Sequence, residues 1–325
     1  MAGKRIDEHT LKVLEFDQVL QILAAFAAGT LGRDAALALY PSLEPDWIQQ
    51  RICETSETKC LLEQGARIPL AGLNDIGPLL RDFGRTKGIF DPAELLQIAD
   101  TLSAAARLRN FFAEVPAEKA PCLKGMAEKL GDFTPIVDEI NRCIEDEKKL
   151  RENASPKLQE ITRRINELTK EIERRFKHIV NSPDMRKVLE NDQLLMRHGR
   201  VVVAVKSKYR QHLRGIVLDR SNTGATIFVE PEQLVELSND LEDATFAREK
   251  EVNRILWELT HAVIEERKEI LASLRILAAF DLTNAKARFS LEYQMAAPAM
   301  CAEPVLNLRQ ARHPLLMYCI SLQKA

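Results

Sequence analysis

The chain has 325 residues, 46% hydrophobic and 29% charged, with a formal net charge of −2. That length allows two or three structural units with a sizeable core, and the composition fits an ordered protein leaning toward long solvated helices. No apolar run approaches the roughly 18 residues of a membrane span, and the N-terminal MAGKRIDEHT lacks the apolar stretch of a secretory signal, so no membrane partner is expected. Cys53, Cys60, Cys122, Cys143, Cys301 and Cys319 are scattered without a CxxC pair. They read as reduced, mostly buried thiols of a cytoplasmic protein, with no metal site expected because the spacing lacks structural-zinc regularity.

Residues 1–131 predict a helical core. Asp91-Pro92-Ala93-Glu94 has the form of a helix start, with Asp as N-cap, Pro in the first turn and Glu three residues on. Leu95, Ile98, Ala99, Leu102, Ala106 and Leu108 follow at helical spacing. Residues 132–192 predict an ascending arm whose long helix opens at Ser155-Pro156. Leu158, Ile161, Ile165, Leu168, Ile172, Phe176 and Ile179 recur in steps of three and four, a heptad-like seam that stops near Pro183. Residues 232–277 predict a returning arm with no Pro or Gly, and 278–304 a return to the core. Residues 155–182 carry seven basic and four acidic residues, whereas 232–275 carry six basic and eleven acidic. Opposite charge on two arms joined at one end favours an antiparallel pair.

Between the arms lies a basic, β-patterned island, residues 193–231, with seven basic residues against two acidic, a local net of +5. Val201–Val205, Gly215–Leu218 and Thr226–Val229 predict three strands, the last two joined by a hairpin turn at Ser221-Asn222-Thr223-Gly224. So small a sheet needs support from the arms. Positive charge concentrated on a near-neutral chain points to a polyanion. Lys206, Lys208, Arg210 and Arg214 are the first candidates for phosphate contact, with Arg220 extending them. On an extended strand Lys206, Lys208 and Arg210 would share one face. The Arg163-Arg164 and Arg174-Arg175 pairs are expected to meet the acidic second arm, and Tyr209 to pack rather than stack on a base.

Several stretches together resemble the MutS family, in its second bacterial branch, whose full-length members carry a C-terminal Smr domain. They are Leu14-Glu15-Phe16-Asp17 with Leu31-Gly32-Arg33; residues 91–108; Asn153-Ala154-Ser155-Pro156; residues 199–231, above all GIVLDRSNTGATIFVEP; Val235-Glu236-Leu237-Ser238-Asn239; DLTNAKARFS at 281–290; and residues 311–316, ARHPLL. The resemblance implies a core, lever and clamp helices, a clamp tip at the island, and the start of an ATPase domain at 305–325. It also implies homodimers that encircle nucleic acid, bind branched DNA and restrain recombination, and a link to splitting collided ribosomes. ATP and Mg are implied for the full-length family. No GxxxxGK[ST] occurs: Lys206-Ser207 is the one Lys followed by Ser or Thr, and Val205 stands where the loop needs Gly. No Smr segment is present, and Phe112-Ala113-Glu114, though it matches a Phe-x-Glu string, sits in a helical stretch without a mismatch-reading domain. Pro183-Asp184 with Glu266-Arg267-Lys268 imitates a metal-nuclease string but falls on a helical pattern, so no catalytic residue is assigned.

The expected fold is mainly α: a helical core plus long antiparallel helical arms carrying a small antiparallel β clamp tip. The expected function is the nucleic-acid-binding clamp portion of a MutS-type protein, gripping branched or duplex DNA without sequence preference and holding no cofactor of its own. Two alternatives stand beside it: a ribosome-binding arm, and a structural fragment inactive without its dimerising ATPase.

Overall fold

The computed structural model describes residues 7–85, 88–301, 303 and 305–322. The chain runs through α1 (Glu8–Val13), α2 (Phe16–Ala24), α3 (Thr30–Leu37), α4 (Pro45–Glu63), α5 (Gly77–Arg81), α6 (Pro92–Glu114), α7 (Pro121–Ala127) and α8 (Thr134–Cys143). Two very short strands, β1 (Ile144–Asp146) and β2 (Lys149–Leu150), precede the long α9 (Pro156–Val180). Then come β3 (Leu195–Arg197), β4 (Arg200–Lys206), a 3₁₀ helix (Ser207–His212), β5 (Gly215–Arg220) and β6 (Thr226–Pro231). Two long helices, α10 (Glu232–Glu265) and α11 (Arg267–Glu292), and the short α12 (Pro314–Leu322) complete it. The fold is mainly α, as the periodicity predicts, and among the described residues no helix is long and apolar enough to cross a membrane.

The chain divides into two compact units. The first comprises Met1–Asn141, Asp146–Lys148 and Leu259–Ala325. Its α6 starts as the sequence dictates: the Asp91 carboxylate accepts from the Glu94 N–H, and the Glu94 carboxylate accepts from the Asp91 N–H, both at 2.9 Å. The face that follows buries Leu95, Ile98, Leu102 and Leu108 completely or nearly so. Phe112 continues that face and stacks on Phe280 of α11 with ring centroids 5.1 Å apart, so the Phe-x-Glu string is core packing. Asp281, also buried on α11, accepts from the N–H groups of Ala28, Gly29 and Gly32 at 2.7, 2.9 and 3.1 Å, seating the start of α3.

The second unit comprises Arg142–Glu145 and Lys149–Glu258. Ser155 caps α9, its hydroxyl accepting from the Leu158 N–H at 3.0 Å, with Pro156 in the first turn. At 25 residues, α9 is about 37 Å long. It runs antiparallel to α10. Ser155 donates to Glu251 at 2.8 Å, Arg164 pairs with Asp240 at 3.1 Å, and Arg175 donates to the Gln233 carbonyl at 3.3 Å. Later positions on α9 thus meet earlier positions on α10, and the basic-to-acidic pairing of the arms is realised. Arg163 instead pairs with Glu167, and Arg174 and Arg175 both pair with Glu171, on their own helix.

Within the stretch 232–277, Glu266 separates α10 from α11 with neither Pro nor Gly to mark the place, and the first unit includes α10 from Leu259 onward. Two expectations need correction. The sheet has four strands, not three. Among the described cysteines only Cys143 is buried; Cys53 and Cys122 are half-buried, and Cys60 and Cys301 are exposed, so the thiols are not mostly buried.

Candidate nucleic-acid interface

The island folds as an antiparallel sheet in the order β3-β4-β6-β5. Val201, Val203 and Val205 on β4 and Ile227 and Val229 on β6 share a buried cluster with Ile172, Phe176 and Ile179 of α9 and Leu234 of α10. The arms therefore supply the core that four short strands cannot build alone. The unforeseen strand, β3, pairs Leu195 with Val202 and Arg197 with Arg200. His198 and Gly199 make the connection, both at positive φ (53° and 78°), as a tight two-residue hairpin loop requires. At the other hairpin, Gly224 (φ 69°) closes the turn by donating to the Ser221 carbonyl at 2.8 Å, and Ser221 N–H bonds the Thr226 carbonyl at 2.9 Å.

The predicted shared face of Lys206, Lys208 and Arg210 does not exist, because the strand ends at Lys206 and residues Ser207–His212 coil into a 3₁₀ helix. Ser207 anchors the change, donating its N–H to the Ala225 carbonyl at 2.8 Å and its hydroxyl to the Gly224 carbonyl at 2.5 Å. Arg210 is drawn inward: its two terminal nitrogens donate to the carbonyls of Leu213 and Gly215 at 2.7 and 2.8 Å. This guanidinium shapes the link between the 3₁₀ helix and β5.

The sheet register divides the candidate cations between two ends. Lys206 is opposite Thr226 and Arg220 opposite Ile227, which puts both beside the Ser221–Gly224 turn. Lys208 follows two residues after Lys206 and lies exposed, 5.0 Å from the Tyr209 ring centre. Arg214 belongs to the other end, where Gly215 is opposite Pro231 and the Arg214 carbonyl accepts from the Glu232 N–H at 3.1 Å. There it lines a groove of about 780 Å³ with Arg210 and the acidic Glu232 and Glu236.

Two island cations are neutralised by carboxylates. Arg197 pairs with Asp219 at 3.4 Å and lies over the Phe228 ring, and Arg200 is held by Glu230 and Glu242 at 3.2 and 3.0 Å. Arg210 bonds carbonyls only, and among the described residues Lys206, Lys208, Arg214 and Arg220 make no ion pair either. Three of these four sit at the hairpin end. Sequence reasoning missed this grouping because it follows from the β4–β6–β5 register, not from linear spacing.

The Lys206-Ser207 pair does not form a phosphate-cradling loop. Lys206 closes a strand ahead of a six-residue 3₁₀ helix, Val205 before it is completely buried, and the Ser207 amide and hydroxyl are already bonded to carbonyls. His313, outside the sheet, is exposed just ahead of α12, its carbonyl accepting from Met317 at 3.2 Å.

Comparison with known proteins finds no matching family model. Over most of its length, however, the chain is similar to proteins named Endonuclease MutS2. It is 36% identical over 311 residues to that of Symbiobacterium thermophilum, which covers 96% of this chain and 39% of the relative. It is 35% identical over 308 residues to that of a Geobacillus species (94% of this chain, 39% of the relative) and 31% identical over 313 residues to that of Bacillus velezensis (96% and 40%). The chain thus spans about two fifths of the length of the curated relatives it matches.

Proposed function

The chain belongs to the MutS2 branch of the MutS family, and from that premise we propose that its second unit is a nucleic-acid clamp. The hairpin end of the sheet touches the phosphate backbone through Lys206, Lys208 and Arg220, and Arg214 adds a contact from the opposite end. Arg210 shapes the loop that presents them. The observation that carries this reading is the grouping of three cations without carboxylate partners beside one turn of the sheet, whereas Arg197 and Arg200 are neutralised by carboxylates. Such cations attract any phosphate backbone and read no sequence. The two long helices hold the sheet; the contribution is grip, not bond cleavage. ATP and Mg, homodimerisation, and the cleavage named in the relatives belong in this reading to the longer protein.

The test is fluorescence anisotropy with a labelled four-way DNA junction and a labelled duplex, titrated across salt concentrations. Lys206→Glu, Lys208→Glu and Arg220→Glu together are expected to weaken binding to both and to flatten the dependence of log affinity on log salt by roughly 0.9 for each phosphate the protein no longer neutralises. An unchanged slope would remove the hairpin end as the contact surface. Competition with purified ribosomes distinguishes DNA from ribosomal RNA as the polyanion: a ribosome that displaces the junction at much lower concentration favours the ribosome-binding alternative.

A further inference from the structure

In the first unit Cys53 of α4 and Cys122 of α7, 69 residues apart in the chain, meet with their sulfurs 2.9 Å apart. The Cys122 thiol donates to Cys53 Sγ, and the Cys53 thiol donates to Glu57 Oε1 at 3.3 Å. Glu57 is buried one helical turn along α4, and its carboxylate is fixed by the N–H groups of Cys122 and Leu123 at 3.0 and 2.9 Å. One carboxylate thereby holds the start of α7 against α4 and aligns both sulfurs. Cys60 and Cys301, by contrast, are exposed, and Cys143 is buried.

We propose that Cys53 and Cys122 are a reversible disulfide site that crosslinks α4 to α7 when a peroxide is present. The sulfurs need to approach by less than about 1 Å to reach the roughly 2.05 Å of a disulfide bond. The Cys53 thiol passes its proton toward Glu57, and its sulfur attacks a peroxide oxygen. The O–O bond breaks, leaving a sulfenic acid on Cys53, and the departing hydroxide takes the proton back from Glu57 and leaves as one water. Cys122 sulfur then attacks Cys53 sulfur; the S–O bond breaks, and the departing hydroxide takes the Cys122 proton as a second water. The two thiols are oxidised by two electrons and one peroxide is reduced to two waters.

Burial, then the hydrogen bond with Cys53, pushes the Cys122 thiol up to about 12. The pair therefore stays protonated at neutral pH and oxidises slowly. The same three donors are also within reach of one metal ion. Two thiolates on a tetrahedral zinc, each about 2.3 Å from the ion, stand about 3.8 Å apart, so the observed separation is the poorer match to a metal site.

The test uses the 325-residue chain, reduced and purified without air, with Cys60→Ser, Cys301→Ser and Cys319→Ser to prevent crosslinks between molecules. Hydrogen peroxide is expected to remove two hydrogen atoms from the intact mass and to join the tryptic peptides holding Cys53 and Cys122; dithiothreitol reverses both changes. The oxidised chain should melt at higher temperature than the reduced one, because the crosslink restricts the unfolded chain. With Cys122→Ser added, Cys53 should stop at a sulfenic acid that dimedone traps, and the melting shift should vanish. Both thiols remaining open to iodoacetamide after peroxide treatment would overturn the proposal. So would one equivalent of zinc retained by the reduced chain and lost on Cys53→Ser. If a serine variant does not fold, the peptide map of the unaltered pair decides the question alone.

Discussion

Arg200 and Glu230 form an ion pair that ties the sheet to the returning arm. The Glu230 side chain has no exposure, and Arg200 donates to its two oxygens at 3.3 and 3.2 Å. The other end of the Arg200 guanidinium reaches Asn239 and Glu242 on α10 at 2.7 and 3.0 Å. Removing the arginine leaves a carboxylate buried without its cation. Arg200→Ala is therefore expected to destabilise the second unit by about 3 kcal/mol. Arg200→Ala with Glu230→Leu should recover part of that loss, and urea unfolding of the two variants measures the difference. A cost below about 0.5 kcal/mol for Arg200→Ala would mean that the pair does not hold the joint.

The opposite end of the arm pair depends on pH. Glu251 accepts from Arg254 and Ser155 at 2.7 and 2.8 Å and pairs with Lys157 at 3.3 Å. The Arg254 hydrogen bond first, then Ser155 and Lys157, outweigh burial and hold its carboxyl down from 4.5 to about 2. The unfolded chain therefore takes up this proton at higher pH than the folded chain. The stabilisation is complete above the ordinary carboxyl value, wanes as pH falls through about 4.5, and is gone below about 2. Glu251→Gln should lower the urea midpoint at neutral pH and make the loss of stability between about pH 5 and about pH 3 shallower than in the unaltered chain. An acid limb of identical steepness would show that Glu251 is not the group responsible.

In the first unit, Gly32 is required by Asp281. A Cβ at position 32 would fall inside the Asp281 carboxyl group, which already holds three backbone N–H groups. Gly32→Ala should cost about 2–3 kcal/mol by displacing that carboxylate, and Asp281→Ala a similar amount by leaving buried N–H groups without an acceptor. Thermal melts of both variants test this. Combining them should cost less than the sum, because both break one contact.

Local signals made parts of the fold legible in sequence. The Asp91–Glu94 capping box is local, and the arm pairing follows from a three- and four-residue apolar rhythm with opposite charges. The family-like strings also meet: Leu31-Gly32-Arg33 touches the start of DLTNAKARFS through Gly32 and Asp281, and Asn239 of the 235–239 string bonds Arg200 of the 199–231 string. What escaped was set by longer-range or side-chain contacts. KSKYRQH alternates like a strand, but it coils into a 3₁₀ helix in which Ser207 bonds the hairpin carbonyl of Gly224 and Arg210 the carbonyls of Leu213 and Gly215. β3 is three residues long and depends on a histidine at positive φ, and Cys53 meets Cys122 across 69 residues.

Arg210 and Arg214 should separate folding from binding. Both are candidates for phosphate contact by sequence, and they are four residues apart, yet they are bonded differently. Arg210 spends both terminal nitrogens on the carbonyls of Leu213 and Gly215, while Arg214 is exposed without an ion pair. A lysine at 210 carries the same charge but lacks the planar fork that reaches two carbonyls together. Arg210→Lys is thus expected to cost about 1–2 kcal/mol and to speed amide exchange around Gly215. Arg214→Ala should leave the urea midpoint within about 0.5 kcal/mol and reduce the salt slope of DNA binding by less than about one unit. If Arg210→Lys instead preserved stability and weakened DNA binding as much as Arg214→Ala, its carbonyl contacts would not be the reason for the arginine, and position 210 would join the phosphate-contacting set.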